Sequence, residues 1–107
     1  MDGVIWALST QPNYRIHLFL SMLSIFAGVV LKIDYYEWLF LVMMITIGLV
    51  IETINTGLEQ TTDAIDKKIR EDIKIAKDVA AGAMLIYALG ASVTALIIFI
   101  PKLAALI

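Results

Sequence analysis

The hydrophobic positions of this chain fall into three long runs, and most polar positions lie between them. The runs cover residues 16–31, 38–51 and 79–100, and none contains a charged residue. A helix needs about 20 apolar residues to cross a hydrocarbon core of about 30 Å. The third run is long enough by itself, and the first is long enough once its flanking residues are counted. We therefore predict membrane-spanning helices over about 15–33 and 74–100.

The second run is shorter, and its length alone fits a buried core helix as well as a membrane span. The residues after it can continue the same helix, because no proline occurs between Trp38 and Ala64. We predict one helix over about 37–64 that crosses the membrane and extends past its surface. Pro101 is expected to end the third span, because proline interrupts the hydrogen-bond ladder of a helix.

A stripe of polar residues lies in the stretch IETINTGLEQTTDAID, residues 51–66. Its members are spaced by three, four and four residues: Glu52, Asn55, Glu59 and Asp63. On a helix that turns by about 100° per residue, they fall within about 80° of one another. An ionised carboxylate at membrane depth costs several kcal/mol. We therefore expect the stripe to face water, a cation or both, and a solvated helix face is the simplest interpretation of the stripe alone.

The distribution of basic residues predicts which ends of the spans share a membrane face. Three spans place residues 1–15 and 52–78 on one face, and residues 32–37 and 101–107 on the other. The first face carries six basic residues and the second carries two. The positive-inside rule then predicts a cytoplasmic N-terminus in an inner or plasma membrane. The six are Arg15, Lys67, Lys68, Arg70, Lys74 and Lys77.

Composition supports the membrane interpretation. The 107 residues are 61% hydrophobic with a mean hydropathy of +0.90, whereas soluble domains are roughly 45–50% apolar. A chain this small has too little interior to bury that excess. A net charge of −2 offers no basic field for nucleic acid, and the absence of cysteine excludes disulfides and thiolate metal sites. We predict a single all-α membrane domain over residues 1–107.

The acidic and basic side chains gathered at one surface have the chemistry that phosphoryl transfer needs. Carboxylates one or two turns apart supply oxygen ligands for a hard cation such as Mg²⁺. Lys77 places an ammonium group beside the Asp78 carboxylate, and Arg70 could meet further phosphate oxygens. A carboxylate base could take the proton of an attacking hydroxyl. Neither GxxxxGK[ST] nor GxGxxG occurs, so a nucleotide would be held in another way.

Two motifs at a fixed separation resemble those of a known family. The stretch IETINTGLEQTTDAID fits E-x-x-N-(S/T)-x-x-E-x-x-x-D, and KIAKDVAAGAMLI fits A-K-D followed by small residues. NYRIH at 13–17 is similar to the family's first-helix motif. The resemblance covers roughly residues 5–100. It is to the small prokaryotic lipid kinases, the diacylglycerol kinase and undecaprenol kinase family.

The resemblance implies a homotrimer of three-span protomers with composite active sites between subunits at the cytoplasmic surface. It also implies MgATP as the phosphoryl donor and a membrane lipid alcohol as the acceptor. Glu52 is implied as the general base, in contact with the acceptor lipid. Arg15 is assigned to the same lipid, and its other interpretation is an anchor at the membrane interface. Glu59 is implied as a magnesium ligand. Nucleotide contacts are implied for a larger set: Gln11, Asn55, Glu59, Asp63, Lys68, Arg70, Lys77 and Asp78.

The chain departs from the family pattern at two places. Gln11 stands where the family usually has a glutamate, which is implied as the second protein ligand to Mg²⁺. Glutamine offers a carbonyl oxygen without negative charge, so metal affinity and rate should fall. The amphipathic surface helix that often precedes the first span is mostly missing, with only MDGVIWALS in its place. The basic residues Lys67, Lys68 and Arg70 are explained equally well as topology determinants.

Three functions remain open at this point. The leading hypothesis is an ATP-dependent lipid kinase, with AKDVAAGAMLI favouring undecaprenol over diacylglycerol as the acceptor. The alternative is a weakened or inactive family member that binds nucleotide or lipid, with Gln11 marking the lost chemistry. The third is a proton- or cation-coupled transporter, which the sequence disfavours because the acidic residues lie at one end of the spans.

Overall fold

The computed structural model describes residues 1–66, 68 and 70–107, which form four helices and no strand. Three of the helices are long and apolar enough to cross a membrane. The prediction of an all-α protein with three candidate spans is therefore confirmed. The helices are α1 (Asp2–Thr10), α2 (Pro12–Leu31), α3 (Tyr35–Ile65) and α4 (Glu71–Leu106).

The helix limits differ from the predicted spans at their ends. α2 begins at Pro12, where the missing N–H of proline is harmless because the first turn of a helix has no acceptor for it. α4 begins at Glu71 and continues through Pro101 to Leu106, so the prediction that proline ends this helix is wrong. Proline removes one hydrogen bond from the ladder, the bond to the carbonyl of Ile97, and the neighbouring turns preserve the helix.

A capping box begins α3 at Asp34. Its Oδ1 accepts the backbone N–H of Glu37 at 2.9 Å, and Glu37 Oε1 accepts the backbone N–H of Asp34 at 3.0 Å. The Glu37 N–H also lowers the pKa of Asp34, so the cap loses its charge only when the pH falls below the usual range of an aspartate. Lys102 Nζ lies 3.2 Å from Glu37 Oε1. The start of α3 is thereby tied to the end of α4, and we call this the turn end of the bundle.

The turn between α2 and α3 closes the same end. Lys32 adopts a left-handed conformation with φ of 55°, and the backbone N–H of Ile33 donates to the carbonyl of Gly28 at 3.2 Å. The Trp38 ring covers Gly28, where an added Cβ would lie 2.9 Å from the ring. A small apolar cluster completes the turn end: Ile33, Leu41, Ile98, Trp38, Ile45 and Phe99.

Tyr87 of α4 packs directly against Gly48 of α3. The Tyr87 hydroxyl donates to the carbonyl of Met44 at 2.9 Å, and its ring occupies the space that a Cβ at residue 48 would need. Many large apolar side chains nevertheless remain exposed along all three long helices, among them Phe19, Phe40 and Ile86. Lipid hydrocarbon or further copies of the chain must cover surfaces of this extent.

Gly48→Ala tests this contact. The new methyl group would overlap the Tyr87 hydroxyl, which the Met44 carbonyl holds in place. We expect the free energy of unfolding in detergent micelles to fall by about 1–3 kcal/mol, as for other overpacked cores. Gly57→Ala is the matched control on α3, because no atom lies within 4 Å of its added Cβ. Equal stability of the two variants would contradict the close contact.

Candidate active site

The polar stripe occupies one face of a continuous helix, as predicted. α3 runs unbroken from Tyr35 to Ile65 and carries the stripe in its second half. Glu52 is only 5% exposed and stands where the apolar half of the helix ends. The next members are half-buried, and the Asn55 amide donates to Glu59 Oε1 at 3.4 Å. The buried carboxylate therefore lies at the membrane side of the stripe.

α4 meets the far end of the stripe through Lys77. Its Nζ lies 2.9 Å from Asp63 Oδ1 and forms a salt bridge between α3 and α4. Asp78 behaves differently, because its side chain is 70% exposed and lies 3.8 Å from Lys74 Nζ on the same helix. The structure thus joins Lys77 to the stripe and leaves Asp78 on the neighbouring surface. The meeting of stripe and α4 defines the polar end of the bundle.

α2 contributes a residue that the sequence analysis did not assign. Tyr14 is buried, and a hydroxyl–hydroxyl hydrogen bond of 3.1 Å joins it to Thr53, the residue after Glu52. His17, one turn further along α2, lies with its ring 5.8 Å, centroid to centroid, from the ring of Tyr87 on α4. The sequence signal that could have identified Tyr14 was the NYRIH motif, in which an aromatic residue stands between polar neighbours at the start of a span.

Gln11 and Arg15 lie at the polar end without contacting the carboxylates. The Gln11 amide donates to Thr10 Oγ1 at 3.4 Å, and its backbone N–H bonds to the Ala7 carbonyl. Arg15 is exposed and donates to the Ser9 carbonyl at 3.5 Å. Within the described part of the chain, no hydrogen bond joins Gln11 to Glu59. In the stretch MDGVIWALS, Met1 precedes helix α1 and the other residues belong to it. Helix α1 contacts both α2 and α3.

The segment between α3 and α4 places its basic groups against nearby acids. The backbone N–H of Lys68 donates to Asp66 Oδ1 at 2.9 Å. Arg70 lies 3.0 Å from an Asp72 oxygen and 3.9 Å from an Asp66 oxygen. Both basic side chains are exposed at the polar end, whereas Lys67 lies outside the described residues. Phosphate oxygens would have to compete with these acids for Arg70.

The donor set at the polar end suits a metal that a nucleotide helps to hold. Among the described residues, no three His, Cys, Asp or Glu side chains form a cluster that could bind a metal by themselves. Mg²⁺ at nucleotide sites commonly takes one or two carboxylates together with substrate phosphates and water. Glu59 fits that role, because it is half-buried on the stripe and the Asn55 amide orients one of its oxygens.

Comparison with known proteins decides the family. The profile of the family described as "Prokaryotic diacylglycerol kinase" matches residues 1–99. This chain belongs to that family. The family assignment and the lipid kinase class of enzyme predicted from the motifs are thereby confirmed.

Individual relatives carry two different names. An undecaprenol kinase of Bacillus subtilis (strain 168) is 32% identical over 100 residues, which cover 92% of this chain and 81% of that protein. A diacylglycerol kinase of Synechocystis sp. is 34% identical over 105 residues, covering 97% of this chain and 60% of that protein. A diacylglycerol kinase of Helicobacter pylori (strain J99) is 31% identical over 85 residues, covering 79% and 66%. Family membership alone therefore does not decide between undecaprenol and diacylglycerol, the two acceptor lipids in the names of these relatives.

The salt bridge between Lys77 and Asp63 should contribute little to stability, because both side chains are partly exposed, at 40% and 43%. In a double-mutant cycle of Lys77→Met and Asp63→Asn, we expect a coupling of less than about 1 kcal/mol in the free energy of unfolding in micelles. A clearly larger coupling would mean that the pair serves to hold α3 and α4 together. A small one leaves the ammonium group available to a ligand.

Proposed function

We propose that this protein transfers the γ-phosphoryl group of ATP to the hydroxyl of a membrane lipid alcohol, with undecaprenol favoured over diacylglycerol. The supporting observation is the position of Glu52. Its carboxylate is buried where the apolar half of α3 meets the polar half. A lipid hydroxyl can reach such a point from the bilayer, and a nucleotide can reach it from water.

Glu52 acts as the general base in this proposal. Its carboxylate accepts the proton of the lipid hydroxyl while the hydroxyl oxygen attacks the γ-phosphorus. The new oxygen–phosphorus bond forms as the bond to the leaving ADP oxygen breaks. Burial among α2 and α3 excludes water, which would otherwise compete as the acceptor. In this proposal Arg15, which is exposed at the polar end of α2, contacts the lipid at the interface.

The other polar residues bind the nucleotide. Lys77 exchanges its contact with Asp63 for phosphate oxygens, which an ammonium group neutralises as charge develops. Asn55 orients Glu59. Bound Mg²⁺ would neutralise further phosphate charge, with Glu59 and the Gln11 carbonyl as its protein ligands. The remaining nucleotide contacts come from the exposed groups of the polar end: Lys68, Arg70 and Asp78.

We further propose a homotrimer with composite sites, oriented with the polar end in the cytoplasm. Among the residues that the structure describes, neither Gln11 nor Asp78 forms a hydrogen bond to the stripe, so a neighbouring copy could complete the site. The exposed apolar faces of the long helices offer surfaces for that contact. The excess of basic residues at the polar end supports the orientation.

A weakened or inactive protein is the second candidate, and Gln11 is the observation that favours it. The position implied for a charged metal ligand holds a neutral amide, which bonds to Thr10. Such a protein would still bind nucleotide or lipid at the polar end. The two functions differ in one measurable property, the transfer of phosphate.

The deciding experiment measures transfer of ³²P from ATP to undecaprenol and to diacylglycerol in mixed micelles. We expect weak transfer by the natural sequence and a loss of at least about 100-fold in Glu52→Gln, because a positioned base contributes roughly that factor or more. Glu71→Gln, in the exposed first turn of α4, is the matched control and should retain full activity. Full activity in Glu52→Gln would remove the base assignment.

Gln11→Glu tests the proposed metal ligand. A second carboxylate should lower the Mg²⁺ concentration that gives half-maximal rate and raise kcat, because carboxylate oxygens suit this cation. Gln60→Glu adds the same charge at an exposed position beside Glu59 and should change neither quantity. Absence of transfer both before and after Gln11→Glu would favour the inactive protein.

Single cysteines test the orientation, since the chain has none of its own. We expect Lys74→Cys to react with a membrane-impermeant maleimide only after intact cells are opened, and Tyr36→Cys to react from outside. Both side chains are exposed. The reverse pattern would place the polar end outside the cell, where ATP is scarce.

A further inference from the structure

A groove lies at membrane depth between the three long helices. α2 and α4 both pack mainly on α3 and touch each other little, which leaves an open channel with α3 as its floor. Its volume is about 390 Å³, near the lower end of the roughly 300–1,000 Å³ typical of ligand pockets. We call it the span groove, and its lining includes His17, Leu41, Met44, Tyr87 and Ala91.

The hydroxyl groups that line the span groove are already satisfied by their own helices. The four aliphatic ones each donate to the carbonyl four residues earlier, at 2.7–2.9 Å: Ser21, Ser24, Ser92 and Thr94. The Tyr87 hydroxyl donates to the Met44 carbonyl. With these donors engaged in the protein, the groove suits a hydrocarbon chain better than a polar headgroup.

The span groove leads toward the proposed catalytic base. His17 lines the groove and lies one turn from Tyr14, whose hydroxyl bonds to Thr53 beside Glu52. Along α3, Met44 in the groove and Glu52 are separated by about 12 Å of helix. A lipid whose hydroxyl stands at Glu52 would therefore direct its tail down this channel.

Tyr87 limits the width of the channel. Its ring fills the notch at Gly48 on one side and lies 5.8 Å, centroid to centroid, from the His17 ring on the other. The hydrogen bond to Met44 holds the hydroxyl, so the ring cannot swing away without losing it. Because Tyr87 lines the channel, its ring takes up space that a smaller side chain would leave open.

We propose that the span groove binds the single hydrocarbon tail of a polyprenyl alcohol, and that Tyr87 makes the site selective against acceptors with two acyl chains. This proposal rests on the proposed function and names the acceptor of the same site. Tyr87 acts on specificity through the shape of the groove, without contact with the reacting atoms.

Substitutions at Tyr87 test the selectivity. Tyr87→Ala widens the groove, and we expect the ratio of kcat/KM for diacylglycerol to that for undecaprenol to rise about tenfold, within the range that pocket changes produce. Tyr87→Phe is the matched control, because it keeps the ring and loses only the hydroxyl, so the ratio should stay within about twofold of the natural value. An unchanged ratio in a folded Tyr87→Ala variant overturns the selectivity.

Photolabelling tests occupancy without relying on activity. A polyprenol that carries a diazirine in its tail should label the segment around Ala91, and excess unlabelled undecaprenol should suppress the labelling. Ala88→Leu fills the groove from α4 and should reduce labelling at least about fivefold, an effect within the range of pocket substitutions. Leu89→Phe enlarges an exposed neighbour that does not line the groove and should leave labelling unchanged.

The outcomes separate this proposal from the proposed function. Labelling spread evenly over lipid-facing side chains such as Leu89, or unaffected by Ala88→Leu, overturns the groove even if phosphate is transferred. Groove-specific labelling in a protein that transfers phosphate to neither lipid supports the tail site and rejects the kinase. Labelling suppressed equally by diacylglycerol and by undecaprenol overturns the role of Tyr87.

Discussion

The arrangement of the polar end depends on one buried carboxylate, Glu52, where the apolar half of α3 meets its polar half. Glu52 is buried, yet α3 continues beyond it for more than three turns as a polar helix. An acidic group deeper in the membrane would be strongly destabilised, and one further out would be solvated like any surface residue. Continuity of α3 is what fixes this depth, because a break at Glu52 would separate the apolar anchor from the polar half. Tyr14 meets α3 at Thr53, directly after that point, and Lys77 meets it at Asp63, further along the polar half.

Much of this arrangement follows from the sequence for simple physical reasons. Apolar runs of sufficient length must leave water, and a four-residue period must place the stripe on one face. The end of α4 was the exception, because Pro101 interrupts only one hydrogen bond and the surrounding turns maintain the helix. Lys77 pairs with Asp63, whereas Asp78 lies beside Lys74 on its own helix. Which of the two neighbours faces the stripe depends on how α4 is rotated about its axis, and residue spacing within one segment does not determine that rotation. Tyr14 and Tyr87 were missed because aromatic residues in a span resemble ordinary lipid-facing side chains.

The two ends of the bundle differ in how they are held. At the turn end, the capping box, the Lys102 contact and the cluster around Leu41 restrain α3 and α4 together. At the polar end, the side-chain hydrogen bonds that the described residues form between the long helices are a half-exposed salt bridge and a hydroxyl pair. Side chains that must exchange partners with a charged ligand cannot also be deeply buried, since an unpaired buried charge is strongly unfavourable. The polar end, whose helices are held together less firmly, is therefore the end that carries the acidic and basic groups.

The contact of Tyr87 with Gly48 divides each of the two longest helices into a part toward the turn end and a part toward the polar end. Between this contact and the turn end, α3 and α4 remain joined as far as the start of α3 and the end of α4. On the other side, the ion pair between Lys77 and Asp63 links the two helices, and both of its side chains are partly exposed. A polyphosphate that took the place of Asp63 at Lys77 would remove this link and leave the contacts of the turn end in place. Nucleotide binding would then exchange partners at the polar end without disturbing the packing at the opposite end of the same two helices.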